Sequence, residues 1–217
     1  MDLTEMRRKV LDHSTESDVL EEIYQENKEG HHAHRIIVGL SLHPKCPDTI
    51  REQLFQNLFW RDLMKAVESP HVPERAKHKA TQLLIKRLSR ITLGEWKTFA
   101  RQCIPSLFPL VMKREDCGLF TTLLDNPRLT ETKLIQLIHS PDMQQEFCVK
   151  IVDHDIWKRR RGVCKSIIYC QNGDLTSQLL CLKKMTSADL HEISRCTSLH
   201  PLIRQSAEVL IHERSEK

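Results

Sequence analysis

The sequence predicts an all-α protein, and three observations lead to this fold class. Of the 217 residues, 40% are hydrophobic and 5% aromatic, and six glycines and two tyrosines are too few for a sheet-rich chain. Within most segments the apolar residues recur at three- and four-residue spacing, as on one face of a helix. Capping residues, prolines and glycines separate these segments, so we expect short helices in series.

The elements of the first half follow in order from these signals. Residues 15–18 form a capping-box pattern, which predicts an acidic N-terminal helix within 1–30 that caps the rest of the fold. Pro44 ends the next helix, whereas Pro47 and Pro73 begin later ones, because a first helical position needs no backbone N–H. Here we expect helices at about 31–43, 47–58, 60–68 and 73–88.

The second half carries the same signals. Residues 92–95 and 186–189 are capping boxes, and Thr130 is a further cap. Here we expect helices from 92, from 105 or 109 to 113, then at about 116–125, 130–138, 141–152, 155–172, 175–185, from 187, and at 201–214. That makes about thirteen helices in the whole chain, with the short connections expected between packed neighbours.

The chain contains an internal repeat. Residues 60–88 can be laid on residues 187–215 without gaps, and upstream, with a small slip, Arg35 corresponds to Arg161. The matched pairs include Asp62 with Asp189, Leu63 with Leu190, Ala80 with Ala207, and Arg87 with Arg214. Repetition of helical hairpins is typical of an α-solenoid, in which each hairpin buries its apolar face on a neighbour.

We therefore expect a right-handed α-solenoid of short helical hairpins, a HEAT- or armadillo-like superhelix. It forms a single repeat domain over 31–217, with related copies near 31–90 and 157–215, behind the capping helix of residues 1–30. Residues 1–30 carry nine acids and four bases although the whole chain has a net charge of +4, so the repeat domain is basic.

Three segments resemble a known family. Residues 92–101, residues 123–131 and residues 35–47, the last ending in His-Pro-Lys-Cys-Pro, are similar to an uncharacterised bacterial family of helical-repeat proteins. That family is similar in build to HEAT, armadillo and leucine-rich-repeat-variant solenoids. The resemblance covers about residues 31–217, although residues 172–174 read Asn-Gly-Asp where the family has a proline pair. It implies a fold and no activity.

Composition also bounds the compartment and the chemistry. No apolar run is long enough to span a bilayer and no signal-peptide core is present, so we expect a cytoplasmic bacterial protein without membrane contact. The eight cysteines form no C-x-x-C pair, and Cys148, Cys164 and Cys181 fall on apolar helix positions, so we expect buried, reduced thiols.

The sequence predicts neither a cofactor nor catalysis. Phosphate-binding glycine loops, nucleophile elbows and H-E-x-x-H motifs are absent. His31 and His34 have a spacing that can place two imidazoles on one metal ion, but no third ligand lies nearby in the sequence, so we predict no metal site. A solvated face is expected for the basic helix of residues 77–90.

One basic segment is the candidate binding site. It consists of Trp157, Lys158, Arg159, Arg160 and Arg161, to which the repeat adds Arg35. Such a segment can neutralise phosphates and offer an indole for stacking on a base. The alternative is structural, with the arginines pairing to carboxylates or helix ends of the next repeat and the tryptophans packing between hairpins.

The predicted function is a non-catalytic scaffold that binds a protein or peptide partner, since solenoids expose extended surfaces for recognition. A nucleic-acid-binding or DNA-repair-type protein that uses a basic face is the alternative, and an enzyme acting on a small molecule ranks third. A contiguous basic face favours nucleic acid, whereas scattered bases around an apolar groove favour a peptide.

Overall fold

The structure, a computed structural model, describes residues 1–29 and 34–215, apart from the side chains of residues 28 and 29. These residues form fifteen α-helices, two short 3-10 helices and no β-strand, which confirms the prediction of an all-α protein. Among the helices described, none is both long and apolar enough to cross a membrane. The arrangement as one right-handed solenoid stays a prediction.

The helices belong to two compact units, Met1–Leu93 and Gly94–Lys217. The first unit holds α1 (Leu3–Leu11), α2 (Ser17–Glu29), α3 (His34–Leu42), α4 (Asp48–Asn57), α5 (Trp60–Glu68) and α6 (Glu74–Leu88). The second holds α7 (Leu93–Gln102), α8 (Phe108–Met112), α9 (Cys117–Leu124), α10 (Glu131–Ile138), α11 (Gln145–Asp153), α12 (Arg161–Ile168), α13 (Leu175–Leu182), α14 (Ser187–Arg195) and α15 (Pro201–Ser215). The 3-10 helices are Pro105–Leu107 and Trp157–Arg159.

In the first unit, helices pack on their sequence neighbours and on the helix after next. Thus α1 contacts α3, α3 contacts α5, and α4 contacts α6. The acidic N-terminal segment forms two helices, α1 and α2, rather than the single helix expected, and its apolar side is buried: Leu20 and Ile23 share a core cluster with Ile36 and Leu40. At Gly39 the backbone of α3 passes so close to the Val10 side chain that a Cβ would overlap it.

The second unit has the same pattern of contacts. Here α9 contacts α11, α10 contacts α12, α11 contacts α13, and α13 contacts α15. Its core includes Phe120 and Phe147, whose rings stack with centroids 4.2 Å apart. Thr130 and Thr186 cap α10 and α14 through their side chains, as the sequence predicts.

The helix predicted over 155–172 is wrong in its first part. Trp157–Arg159 is a 3-10 turn, Arg160 is extended with φ −85° and ψ 109°, and α12 begins at Arg161. The break is stabilised from outside the segment, because the Lys158 carbonyl accepts hydrogen bonds from the Lys184 ammonium and the Cys164 thiol. A continuous helix would pair that carbonyl with a backbone N–H.

The internal repeat has a single register across four helices. The helices α3–α6 begin at residues 34, 48, 60 and 74, and α12–α15 begin at 161, 175, 187 and 201. Each start is therefore displaced by 127 residues, which agrees with the gapless match of 60–88 on 187–215. The expected upstream slip is corrected, because His34 rather than Arg35 occupies the position of Arg161.

Candidate functional site

Trp157 packs in the interior of the second unit. Its side chain is buried, and its indole Nε1 donates a hydrogen bond of 2.9 Å to the Leu124 carbonyl. Trp60 and Trp96 are buried as well, which confirms the packing role predicted for the three tryptophans. The indole of Trp157 is therefore not exposed for stacking on a nucleic-acid base.

The four bases after Trp157 do not act as one surface. Lys158 forms an ion pair with Asp155, and Arg161 forms one with Asp189, whereas the side chains of Arg159 and Arg160 are exposed. Arg35 is exposed on α3 and belongs to the first unit. Two of the four bases thus serve local pairing, and two remain on the surface.

Asp189 is the centre of the Arg161 contacts. Its carboxylate accepts hydrogen bonds from Arg161 Nε at 2.7 Å and Lys165 Nζ at 3.2 Å, and from the backbone and hydroxyl of Thr186 at 3.0 and 2.7 Å. Burial acts to raise the pKa of Asp189, but the bonds from Thr186, Arg161 and Lys165 outweigh it and hold the pKa well below its usual range. Arg161 therefore links α12 to the capping box of α14.

The first unit has a similar pair in the same register. His34 Nε2 lies 2.8 Å from Asp62 Oδ2, and Lys65 Nζ donates to the other carboxylate oxygen at 2.8 Å. Asp62 is buried, as is Asp189. Because both copies use a basic side chain to tie the first helix to the third, the position of Arg161 is part of the repeat's packing.

A groove in the second unit contains the start of the predicted segment. We call it the α12–α13 groove; it has a volume of about 310 Å³ and is lined by residues of α11, of the 3-10 turn, of α12 and of α13. Trp157 and Lys158 line it, together with the apolar side chains of Val152, Ile167 and Leu180. Leu180 is 46% exposed, so the groove offers an apolar surface to solvent.

The rim of the α12–α13 groove is positive. Lys183 and Lys184 follow α13 along one side, and Lys158 stands on the 3-10 turn. Asp153 is the one acid among the described residues that line the groove. The ligand best matched to this arrangement has an apolar group for the floor and a negative charge for the rim.

A larger cavity of about 560 Å³ lies elsewhere in the second unit, among the residues that connect α12 to α13 and α14 to α15. It contains none of the predicted site residues. Burial, followed by the hydrogen bond to Glu192, raises the pKa of Tyr169 to about 12, and the Gln178 amide is bound to the carbonyls of Ile167, Ile168 and Cys170. Neither side chain is placed to act as a nucleophile or a base.

The cysteines are free thiols, and six of the eight are buried, which confirms the expected burial of Cys148, Cys164 and Cys181. Burial raises the pKa of the Cys103 thiol to about 12, so this sulfur is unreactive at neutral pH. Within residues 1–29 and 34–215 no group of three His, Cys, Asp or Glu side chains is arranged to hold a metal ion. His31, of the predicted histidine pair, lies outside the described residues.

No family model, no curated protein and no solved structure matches this chain. The functional argument therefore rests on the grooves and on the residues that line them.

Trp157→Phe is expected to lower the free energy of unfolding by about 1–3 kcal/mol, because the Leu124 carbonyl loses its donor inside the unit. Urea denaturation followed by circular dichroism measures the change. Ile156→Ala is the control, since the neighbouring Ile156 side chain is 56% exposed and its removal should have little effect. Equal stability of the two variants would contradict a packing role for Trp157.

Proposed function

We propose that the protein is a non-catalytic, right-handed α-solenoid scaffold that binds a protein partner through the α12–α13 groove. Two features support the solenoid. Within each unit, helices pack on the helix after next, as the hairpins of a solenoid do. Four helices of one unit also recur in the other with a constant displacement of 127 residues.

The apolar floor of the α12–α13 groove is the observation that carries the proposal. Val152 and Leu180 offer hydrophobic surface between separate lysines, and exposed apolar surface with a polar rim is typical of protein recognition. The expected partner is a segment that inserts one apolar side chain and places acidic residues opposite Lys183 and Lys184.

Nucleic-acid binding by the segment from Trp157 to Arg161 is the second candidate and has less support. The indole is buried, and Arg161 is held by Asp189, so only Arg159 and Arg160 are exposed without an ion pair among the described residues. Two phosphate contacts give only a shallow dependence of affinity on salt.

Peptide selection tests the proposal. The full-length protein is presented to a random peptide library, and the selected sequences are synthesised and titrated by fluorescence anisotropy. We expect selected peptides to combine an apolar anchor with acidic neighbours. Leu180→Glu should weaken their binding at least about tenfold, because it places a charge on the apolar floor.

Leu202→Glu is the matched control, since Leu202 in the same unit is 48% exposed, close to the 46% of Leu180, and does not line the groove. It should leave peptide affinity unchanged. Peptides that bind equally well to the parent and to Leu180→Glu, or a library that yields no binder, would overturn the proposed site.

A further inference from the structure

A second groove lies in the first unit, between α4 and α6. It comprises a cavity of about 410 Å³ and an adjoining one of about 120 Å³, and Gln56, Leu83 and Lys86 line both. We call the two together the α4–α6 groove. It contains none of the residues of the α12–α13 groove, so it is a separate feature of the molecule.

Bases follow one side of this groove. Lys79, Lys86, Arg87 and Arg90 all line it, and their spacing places them on one face of α6 and its last turn. The row extends over roughly 16 Å at the helical rise of 1.5 Å per residue. The only acid among the described lining residues is Glu52, which forms an ion pair with Lys79. The groove therefore has an excess of positive charge.

The internal repeat separates the structural base from the others. Arg87 donates a hydrogen bond to the Gln56 carbonyl, and Arg214, 127 residues later, donates one to the Lys183 carbonyl. Arg87 is thus part of the packing common to both copies.

Lys79 and Lys86 have no basic counterpart in the second copy, where the same positions hold Ser206 and Glu213. Because α13 and α15 form the same helix pair without them, the fold does not require these two lysines. Lys86 and Arg90 are exposed, and no ion pair forms to either among the described residues. Their charges are available to a ligand.

We infer that the α4–α6 groove is a docking site for an acidic segment of a partner protein. The groove is narrow, because packed helices lie only about 8–10 Å apart, which admits an extended peptide but not a nucleic-acid duplex. Gln56 and Gln82 add amides that can bind a peptide backbone, and Leu83 adds apolar contact. Phe55, the one aromatic side chain lining it, is fully buried and so offers no stacking surface for single-stranded bases.

This site adds a second contact to the proposed scaffold, and its test uses other residues and other probes, so either site can fail alone. The full-length protein is titrated with a fluorescein-labelled dodecapeptide of glutamates around a central leucine. Parallel titrations use a DNA duplex of about twenty base pairs and an oligothymidine of similar length. We expect the acidic peptide to bind, more weakly as salt is raised, and in preference to either DNA.

Lys86→Glu combined with Arg90→Glu should weaken peptide binding at least about tenfold. The control is Arg159→Glu combined with Arg160→Glu, which reverses two exposed bases of the other unit and changes the net charge equally. It should change the affinity less than about twofold. The inference is overturned if the parent does not bind the peptide, if both double variants lose binding equally, or if either DNA binds more tightly than the peptide.

Discussion

Arg51→Ala is expected to lower the free energy of unfolding by about 3–5 kcal/mol, because it combines a cavity with the loss of buried hydrogen bonds. The Arg51 side chain is 1% exposed. Its guanidinium donates to the His43 carbonyl at 2.7 Å and to Asp48 Oδ1 at 2.9 Å, which ties the start of α4 to the end of α3. The first unit therefore depends on this one polar side chain for a helix junction.

The repeat supplies an informative second variant. Gln178, 127 residues after Arg51, donates to the carbonyl of Cys170 at 3.0 Å, and Cys170 has the register position of His43. Arg51→Gln should therefore be less destabilising than Arg51→Ala, because an amide can keep part of the bonding.

Urea denaturation followed by circular dichroism measures these changes. Arg35→Ala is the control, since Arg35 is exposed on α3, and its effect should stay within about 0.5 kcal/mol. Similar losses for Arg51→Ala and Arg35→Ala would show that the junction does not depend on Arg51.

The helix boundaries could be predicted because their signals are local. Thr130 and Thr186 act on backbone groups three residues away, at Lys133 and Asp189, and both caps form. Asp116 likewise caps α9 through the Leu119 N–H. A cap of this kind depends on residues within one turn, so the sequence alone contains the information.

The break before α12 could not be predicted, because its causes are distant in sequence. The Lys158 carbonyl is bound by Lys184, 26 residues later, and the Trp157 indole by Leu124, 33 residues earlier. Periodicity over 155–172 carries no trace of either contact. For the same reason the upstream slip was misjudged, since only the pairs of His34 with Asp62 and of Arg161 with Asp189 fix the register.

The candidate site could be predicted only in part. Composition drew attention to Trp157 and Lys158, which do line the α12–α13 groove, but Val152 and Leu180 were missed. Each lies alone on its own helix, and three helices must pack before the floor exists. One local signal was present: Leu180 precedes the lysine pair after α13 and is exposed although it is apolar.

Asp189→Ala is expected to lower the free energy of unfolding by about 2–4 kcal/mol at neutral pH, through the loss of an N-terminal cap and of charge-assisted hydrogen bonds. The carboxylate is 4% exposed and accepts bonds from Thr186, Arg161 and Lys165. Arg161→Gln should have a smaller effect, about 0.5–1 kcal/mol, because the Arg161 side chain is 55% exposed and its ion pair is screened by solvent.

The effect of Asp189→Ala should depend on pH in a defined direction. The pKa of Asp189 is lower in the folded protein than its usual value, so its contribution is complete above that value, which is about 4. Below about pH 4 the unfolded chain takes up the proton first, and the difference between parent and variant narrows until the folded-state pKa is passed. Urea denaturation of both proteins at several pH values measures this, and Arg159→Gln combined with Arg160→Gln, which alters only exposed bases, should track the parent throughout. A parent–variant difference that stays constant as the pH falls well below 4 would mean that Asp189 is not held as a carboxylate by Thr186, Arg161 and Lys165.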